Sequence, residues 1–154
     1  MKFLGNIDPA QVEDITEAMG RSSLGASSFR LLLSGLGAFP NENRPRVIWA
    51  GVQGDLESVG KLQAGIEAAV FGLGFPREKR HFTSHLTLGR VRDQATSGER
   101  LRVGAAVSSY YSMGPTEPWL VESVRLVRSN LGPGGATYSD LASVSLGDGA
   151  GPRQ

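Results

Sequence analysis

The segment RHFTSHLTLGRV, residues 80–91, carries both histidines of this 154-residue chain. Apolar and polar residues alternate along its second half, a pattern that predicts a strand. Successive strand side chains point to opposite faces, so His85 and Thr87 share one face while Leu86 and Leu88 share the other. The leucines can pack into a core. On the other face, an imidazole that moves protons near neutral pH would lie beside a hydroxyl that can donate to a phosphate oxygen, which indicates a phosphate site.

Arg90 would suit the same site, because a guanidinium binds oxyanions through two parallel hydrogen bonds. It lies five positions from His85, so an unbroken strand places it on the opposite face unless a bulge or strand end at Gly89 re-aims it. The alternative for His85 and Thr87 is a structural role, since a His and a Thr two residues apart on a strand are common. His81 is interpreted as a loop or strand-entry residue.

Length and composition bound the class of protein. The chain is long enough for one domain, or for two small lobes that share a core, and 40% of its residues are hydrophobic. No stretch approaches the roughly 20 apolar residues of a membrane span, and no signal peptide is apparent. The absence of Cys fits a cytoplasmic protein. With two close histidines and no Cys, a metal site is not expected, and no cofactor is predicted.

Positive charge is concentrated around the histidine segment. The whole chain carries a net charge of +1, whereas residues 77–102 hold seven Lys or Arg against three Asp or Glu, a net of +4. Such a cluster favours an anionic partner such as a nucleotide or nucleic acid, and binding should be centred there and sensitive to salt. The alternative is an ordinary solvated surface.

Helical and strand patterns alternate along the chain. Helices are predicted to begin after Asp8, after Asp55 and at Glu99, and to end near residues 20, 72 and 109. Predicted strands span residues 1–6, 29–36, 47–52, 84–91, 119–129 and 136–146. Helices between strands, with a closing hairpin, indicate an α+β fold with a largely antiparallel sheet. Residues 147–154 are predicted to form a disordered tail.

Two motif fragments resemble a known family. Residues 85–90, His-Leu-Thr-Leu-Gly-Arg, match the second motif of the RNA 2′,3′-cyclic phosphodiesterase (2′-5′ RNA ligase) family of two-histidine phosphoesterases, although Ser84 stands where many members have Pro. Residues 2–5, Lys-Phe-Leu-Gly, match the tail of that family's first motif. With the order of elements and the closing hairpin, the resemblance extends to about residue 146.

The resemblance implies a single bilobal phosphoesterase domain over residues 1–146, with mainly antiparallel sheets and flanking helices. The family's first His-x-Thr would fall just before Lys2, so the first strand, first helix and first catalytic histidine are expected to be missing. The chain as given is then expected to be catalytically weakened. Its Lys2-Phe3-Leu4-Gly5 segment is predicted to pair as a strand beside the His85 strand, with Phe3 buried and Lys2 directed at the phosphate.

The activity implied by the resemblance is metal-independent opening of 2′,3′-cyclic phosphate ends of RNA to 2′-phosphates, whose reversal would join RNA ends. His85 would be one of two acid–base histidines, Thr87 would bind a phosphate oxygen, and Arg90 and Lys2 would contact substrate. Partners would be such RNA ends or cyclic nucleotides, with no membrane, and the full-length protein would be a monomer. The alternatives are a non-catalytic RNA- or phosphate-binding module and a remnant that folds poorly.

Overall fold

The computed structural model of the chain describes residues 2–79, 82–132 and 135–147. The interpretation of His81 and the predicted tail beyond Gly147 lie outside these residues. The described elements, in chain order, are α1 (Gln11–Ser23), β1 (Phe29–Phe39), β2 (Val47–Gly54), α2 (Leu56–Gly72), β3 (His85–Arg90), α3 (Ser97–Ser109), β4 (Trp119–Val121), β5 (Ser123–Gly132) and β6 (Gly135–Ser145).

The strands form two sheets. One has four strands in the order β3-β2-β1-β4, and the other is the hairpin β5-β6. The β1–β2, β2–β3 and β5–β6 ladders are all antiparallel. The predicted α+β class with antiparallel sheets is therefore confirmed. No helix in the described part of the chain is both long and apolar enough to span a bilayer.

Two compact units divide the chain. One comprises residues 1–29, 57–82 and 120–154, and the other residues 30–56 and 83–119. In the first, α1, most of α2, the hairpin and the residue that follows it supply buried apolar side chains, among them Ile15, Leu62, Val70, Val124 and Leu146. In the second, β2 contributes the buried Ala50 and α3 the buried Val107. A single bilobal domain over residues 1–146 remains a prediction.

Local sequence signals mark the starts of two helices. Asp8 Oδ1 accepts from the Ala10 N–H at 2.9 Å, and Gln11 Oε1 accepts from the Asp8 N–H at 3.1 Å, which closes a reciprocal turn just ahead of α1. The helix itself begins at Gln11, with Ala10 as its N-cap, two residues later than the sequence predicted. The predicted stop at Gly20 is wrong. α1 continues to Ser23, and the chain reverses only at Gly25, whose φ is +81°. Thr96 and Glu99 form a full capping box that begins α3 two residues before the predicted start.

Two strand predictions are wrong. Residues 2–10 contain no strand, and Phe3 is 86% exposed instead of buried. The predicted strand over residues 119–129 is divided at Glu122 into β4 and β5, which belong to different sheets. The Glu122 carbonyl accepts from the Leu146 N–H at 2.8 Å, so the backbone there already follows the hairpin.

Lys2 takes part in a partly buried ion pair instead of a sheet. Its Nζ lies 2.6 Å from Glu67 Oε1 on α2, with the two side chains 8% and 12% exposed, and it also donates to the Pro76 carbonyl. Glu67 Oε1 accepts a further hydrogen bond from the Glu78 N–H at 2.8 Å. Burial acts to raise the pKa of Glu67, but these hydrogen bonds and the charges of Lys2 and Arg77 together hold it below its usual value.

Replacing Glu67 with Gln should therefore destabilise the protein by about 1.5–3 kcal/mol at pH 7, the usual contribution of a hydrogen bond to a charged group. A carboxyl whose pKa is lowered by folding stabilises the native state above its unfolded pKa of about 4.3, and this contribution is lost as the pH falls through the lower folded value. The wild type should lose its advantage over Glu67→Gln in acid. Urea unfolding between pH 3 and 7 measures the difference.

The matched control is Glu57→Gln, which removes an ion pair on the same helix whose side chains are 74% and 78% exposed. It should change stability by less than about 0.5 kcal/mol at any pH. Equal losses for the two variants, or a Glu67→Gln loss that persists unchanged in acid, would contradict the role given to the Lys2 pair.

Candidate active site

The outer strand β3 brings the three residues predicted for the second motif to one face. The Cα partners across the β2–β3 ladder are Gly51 with His85, Trp49 with Thr87, and Val47 with Arg90. These β2 partners are spaced two residues apart, so they lie on one face of the strand. Directly paired residues share a face. His85, Thr87 and Arg90 therefore lie on the same face, and all three are exposed.

A bulge in β3 makes this arrangement possible. Ile48 pairs with Gly89 and Trp49 pairs with Thr87, so Leu88 has no partner of its own in the ladder. One extra residue reverses the alternation of faces beyond it. Arg90, which an unbroken strand would turn away from His85, is re-aimed in the way expected for a bulge next to Gly89. No hydrogen bond or ion pair engages its guanidinium within the described residues.

The imidazole of His85 is oriented by its own backbone. Nδ1 lies 2.7 Å from the carbonyl oxygen of Thr83. A carbonyl can only accept, so Nδ1 carries a hydrogen, and in the neutral imidazole Nε2 is the nitrogen with the lone pair. With Nδ1 engaged by the backbone, Nε2 is the ring nitrogen that can take part in a proton-transfer step at this face.

Two aromatic rings that sequence reasoning did not assign to the site border His85. The Phe39 centroid lies 5.2 Å from the imidazole at an interplanar angle of 82°, and the Trp49 centroid lies 6.4 Å from it at 61°. The two rings are 5.3 Å apart. Phe39 ends β1 and Trp49 lies in β2, so only the register of three strands brings them to His85. No sequence signal gives that register.

Gly37 creates the space for the indole. It is the β1 partner of Trp49, and a Cβ built on it would lie 2.2 Å from Trp49 Cζ2. Any larger residue at position 37 would have to displace the ring. The aromatic cluster therefore depends on a glycine that lies just beyond the predicted strand over residues 29–36 and within the observed β1.

One predicted surface cation has a structural role. The Arg100 guanidinium donates to four backbone carbonyls, those of Pro45, Arg92, Asp93 and Ala95, at 2.8–3.2 Å. It joins the first turns of α3 to the segments before β2 and after β3. Arg100 is thus engaged by the backbone, whereas the other cations of the predicted cluster that lie in the second unit, Arg90, Arg92 and Arg102, are exposed.

The remaining predicted site residue is not grouped with these. Lys2 belongs to the first compact unit and is engaged by Glu67, so its contact with substrate remains a prediction. Within residues 2–79, 82–132 and 135–147, no three His, Asp or Glu side chains are grouped so as to hold a metal ion.

Gly37→Ala should displace the Trp49 ring and destabilise the protein by about 1–3 kcal/mol, the usual result of overpacking. Urea unfolding measures the stability. The emission spectrum in a Trp119→Phe background reports on Trp49 alone, since the chain has two tryptophans.

Gly60→Ala is the matched control, because a Cβ there meets nothing within 4 Å. Gly60 lies inside α2, where alanine should be neutral or stabilise by up to about 1 kcal/mol. If Gly37→Ala behaved like Gly60→Ala and left the Trp49 emission unshifted, the steric account of Gly37 would be wrong.

Comparison with known proteins identifies the family of the chain. Residues 1–49 and 53–138 match the model of the LigT like Phosphoesterase family. The chain is 34% identical over 146 residues to a protein of Aeropyrum pernix named RNA 2′,3′-cyclic phosphodiesterase, covering 94% of this chain and 78% of that one. A protein of the same name from Archaeoglobus fulgidus is 35% identical over 141 residues, covering 90% and 73%.

Solved structures show the same fold. The protein TT0787 of Thermus thermophilus superposes with a TM-score of 0.67 at 29% identity, over 96% of this chain and 76% of that one. E. coli LigT complexed with 3′-AMP superposes with a TM-score of 0.69 at 21% identity, over 94% and 74%. The family match covers most of the sequence and includes β3 with its His85-x-Thr87 motif, so the chain belongs to the LigT-like phosphoesterase family.

Proposed function

We propose that this protein opens 2′,3′-cyclic phosphates at RNA ends by acid–base catalysis, with His85 as one of the proton-transfer groups. The observation that carries the proposal is the common face of His85, Thr87 and Arg90, with His85 Nδ1 bonded to the Thr83 carbonyl. The names of the Aeropyrum and Archaeoglobus relatives support the same substrate class.

The reaction is a displacement at phosphorus. Water gives up a proton as its oxygen attacks phosphorus, the P–O3′ bond breaks, and the 3′ oxygen takes up a second proton, leaving a 2′-phosphate. In this scheme His85 Nε2 transfers one of the two protons. The Thr87 hydroxyl donates to a non-bridging phosphate oxygen, and the Arg90 guanidinium stabilises negative charge that develops in the transition state. Reversal of the same steps would join RNA ends.

A second proton-transfer group completes the scheme. General acid–base catalysis by one positioned group typically contributes about 10²–10⁴-fold to the rate, so each of the two groups should matter on that scale. Lys2 is kept as a candidate phosphate contact, which would require its ammonium to leave Glu67.

His85→Ala should remove the turnover of a nucleoside 2′,3′-cyclic phosphate, and Thr87→Ala and Arg90→Gln should each reduce it by roughly 10- to 100-fold through lost transition-state stabilisation. Product formation is followed by phosphorus NMR or chromatography, in EDTA, because imidazole acid–base chemistry needs no metal.

Ser84→Ala, immediately before the motif in sequence, serves as the control and should retain activity. Turnover that survives His85→Ala would refute the proposal. Activity that EDTA abolishes and a divalent ion restores would refute the metal-free scheme. Binding of the cyclic nucleotide without turnover, lost in Arg90→Gln, would instead identify a phosphate-binding module.

RNA binding should weaken with salt, because each neutralised phosphate of a single strand contributes a slope of about −0.7 in log K against log[salt]. Arg92→Gln and Arg102→Gln should each lower the magnitude of the slope by roughly that amount. Fluorescence anisotropy with a short RNA that ends in a cyclic phosphate measures it.

Arg21→Gln is the control, since Arg21 is an exposed α1 cation in the other unit, paired with Glu17. If all three variants kept the wild-type slope, the cations near β3 would be ordinary surface charge and the predicted RNA-binding region would be wrong.

A further inference from the structure

We propose that Phe39 and Trp49 are positioning residues that hold the His85 imidazole in its reactive orientation, an inference that rests on the proposed function of His85. Neither residue is assigned a contact with substrate. Their rings lie 5.2 and 6.4 Å from the imidazole, centroid to centroid, and both meet it at steep angles, 82° and 61°.

The backbone hydrogen bond alone does not fix the imidazole. A single bond from Nδ1 to the Thr83 carbonyl anchors one atom of the ring. The ring can still rock about that atom, since the terminal torsion of histidine has a broad energy profile. Two flanking rings at steep angles restrict this motion, and edge-to-face packing of this kind is favourable for aromatic rings. Together, the hydrogen bond and the two rings define where Nε2 points.

The Trp49 side chain contributes to this cluster through ring packing. Within the described residues its Nε1–H is buried and has no hydrogen-bond partner, so the indole gains nothing there from its polar atom. The ring lies over Gly37, where even a methyl group would collide with it. The indole therefore packs against Gly37. The Phe39 ring packs in turn against the indole, with 5.3 Å between centroids, and also contacts the His85 imidazole.

Phe39 is the better residue to test because it is 37% exposed. A ring of that exposure contributes less to the core than a buried one, so its replacement by Leu should leave the fold intact. Proton transfer depends on alignment, and misplacement of a group by about 1 Å can cost 10²-fold in rate. Phe39→Leu should therefore lower kcat by roughly 10- to 100-fold while KM changes by less than about twofold, since the residue does not hold the substrate.

The experiment combines kinetics with nitrogen NMR of the imidazole. The chain has two histidines, so in His81→Gln the remaining imidazole signals all come from His85. In the wild type the neutral imidazole should show one tautomer, protonated at Nδ1. Phe39→Leu should give averaged signals of both tautomers. Phe39→Tyr, which keeps the ring, should restore both the single tautomer and kcat. Phe71→Leu, a change at a 49% exposed Phe on α2, should behave as wild type.

The outcomes separate the positioning role from the function on which it rests. A single Nδ1 tautomer retained in Phe39→Leu, or a rise in KM with kcat unchanged, would overturn the positioning role, the latter because it would mean that Phe39 contacts substrate. If His85→Ala left turnover intact, the proposed function would fail while the tautomer measurement still decided whether Phe39 orients His85.

Discussion

The register of β2 with its two neighbours is the constraint on which the candidate site depends. Each ladder contains one inserted residue, Gly35 in β1 and Leu88 in β3. The insertion in β3 brings Arg90 to the face of His85 and Thr87. Gly35 has a φ of +67° and lies where a Cβ would be 2.5 Å from the Tyr111 carbonyl, so the β1 insertion is fixed by a conformation that favours glycine.

In each unit, a charged side chain forms hydrogen bonds with backbone groups of distant segments. In the second unit, the Arg100 guanidinium donates hydrogen bonds to four backbone carbonyls. In the first, the Glu67 carboxylate accepts from the Lys2 ammonium and from the Glu78 N–H. These contacts connect segments that are distant in sequence, such as residues 45 and 100 or residues 2 and 67. They also explain why a count of charges along the sequence overstates the cations free to meet an anion.

Helices and strands that depend on neighbouring residues could be predicted from sequence, whereas contacts that depend on how the strands align could not. The Asp8 turn ahead of α1, the Thr96 cap of α3 and the alternation in β3 depend on neighbouring residues, so these three elements were predicted close to their observed positions. Lys2-Phe3-Leu4-Gly5 has strand-like residues, yet the partner of Lys2 lies 65 positions away on α2, and no local pattern reveals it. The Phe39–Trp49–His85 cluster was missed because its members are adjacent only once three strands are aligned.

The fit between Gly37 and Trp49 also bears on how this site changes over evolutionary time. Position 37 has room for a hydrogen because position 49 fills the volume above it. A larger residue at 37 is tolerated only with a smaller one at 49, so the two positions are coupled in volume although they lie on different strands. Divergence at this contact should proceed by paired exchange, and the two positions should covary across the family.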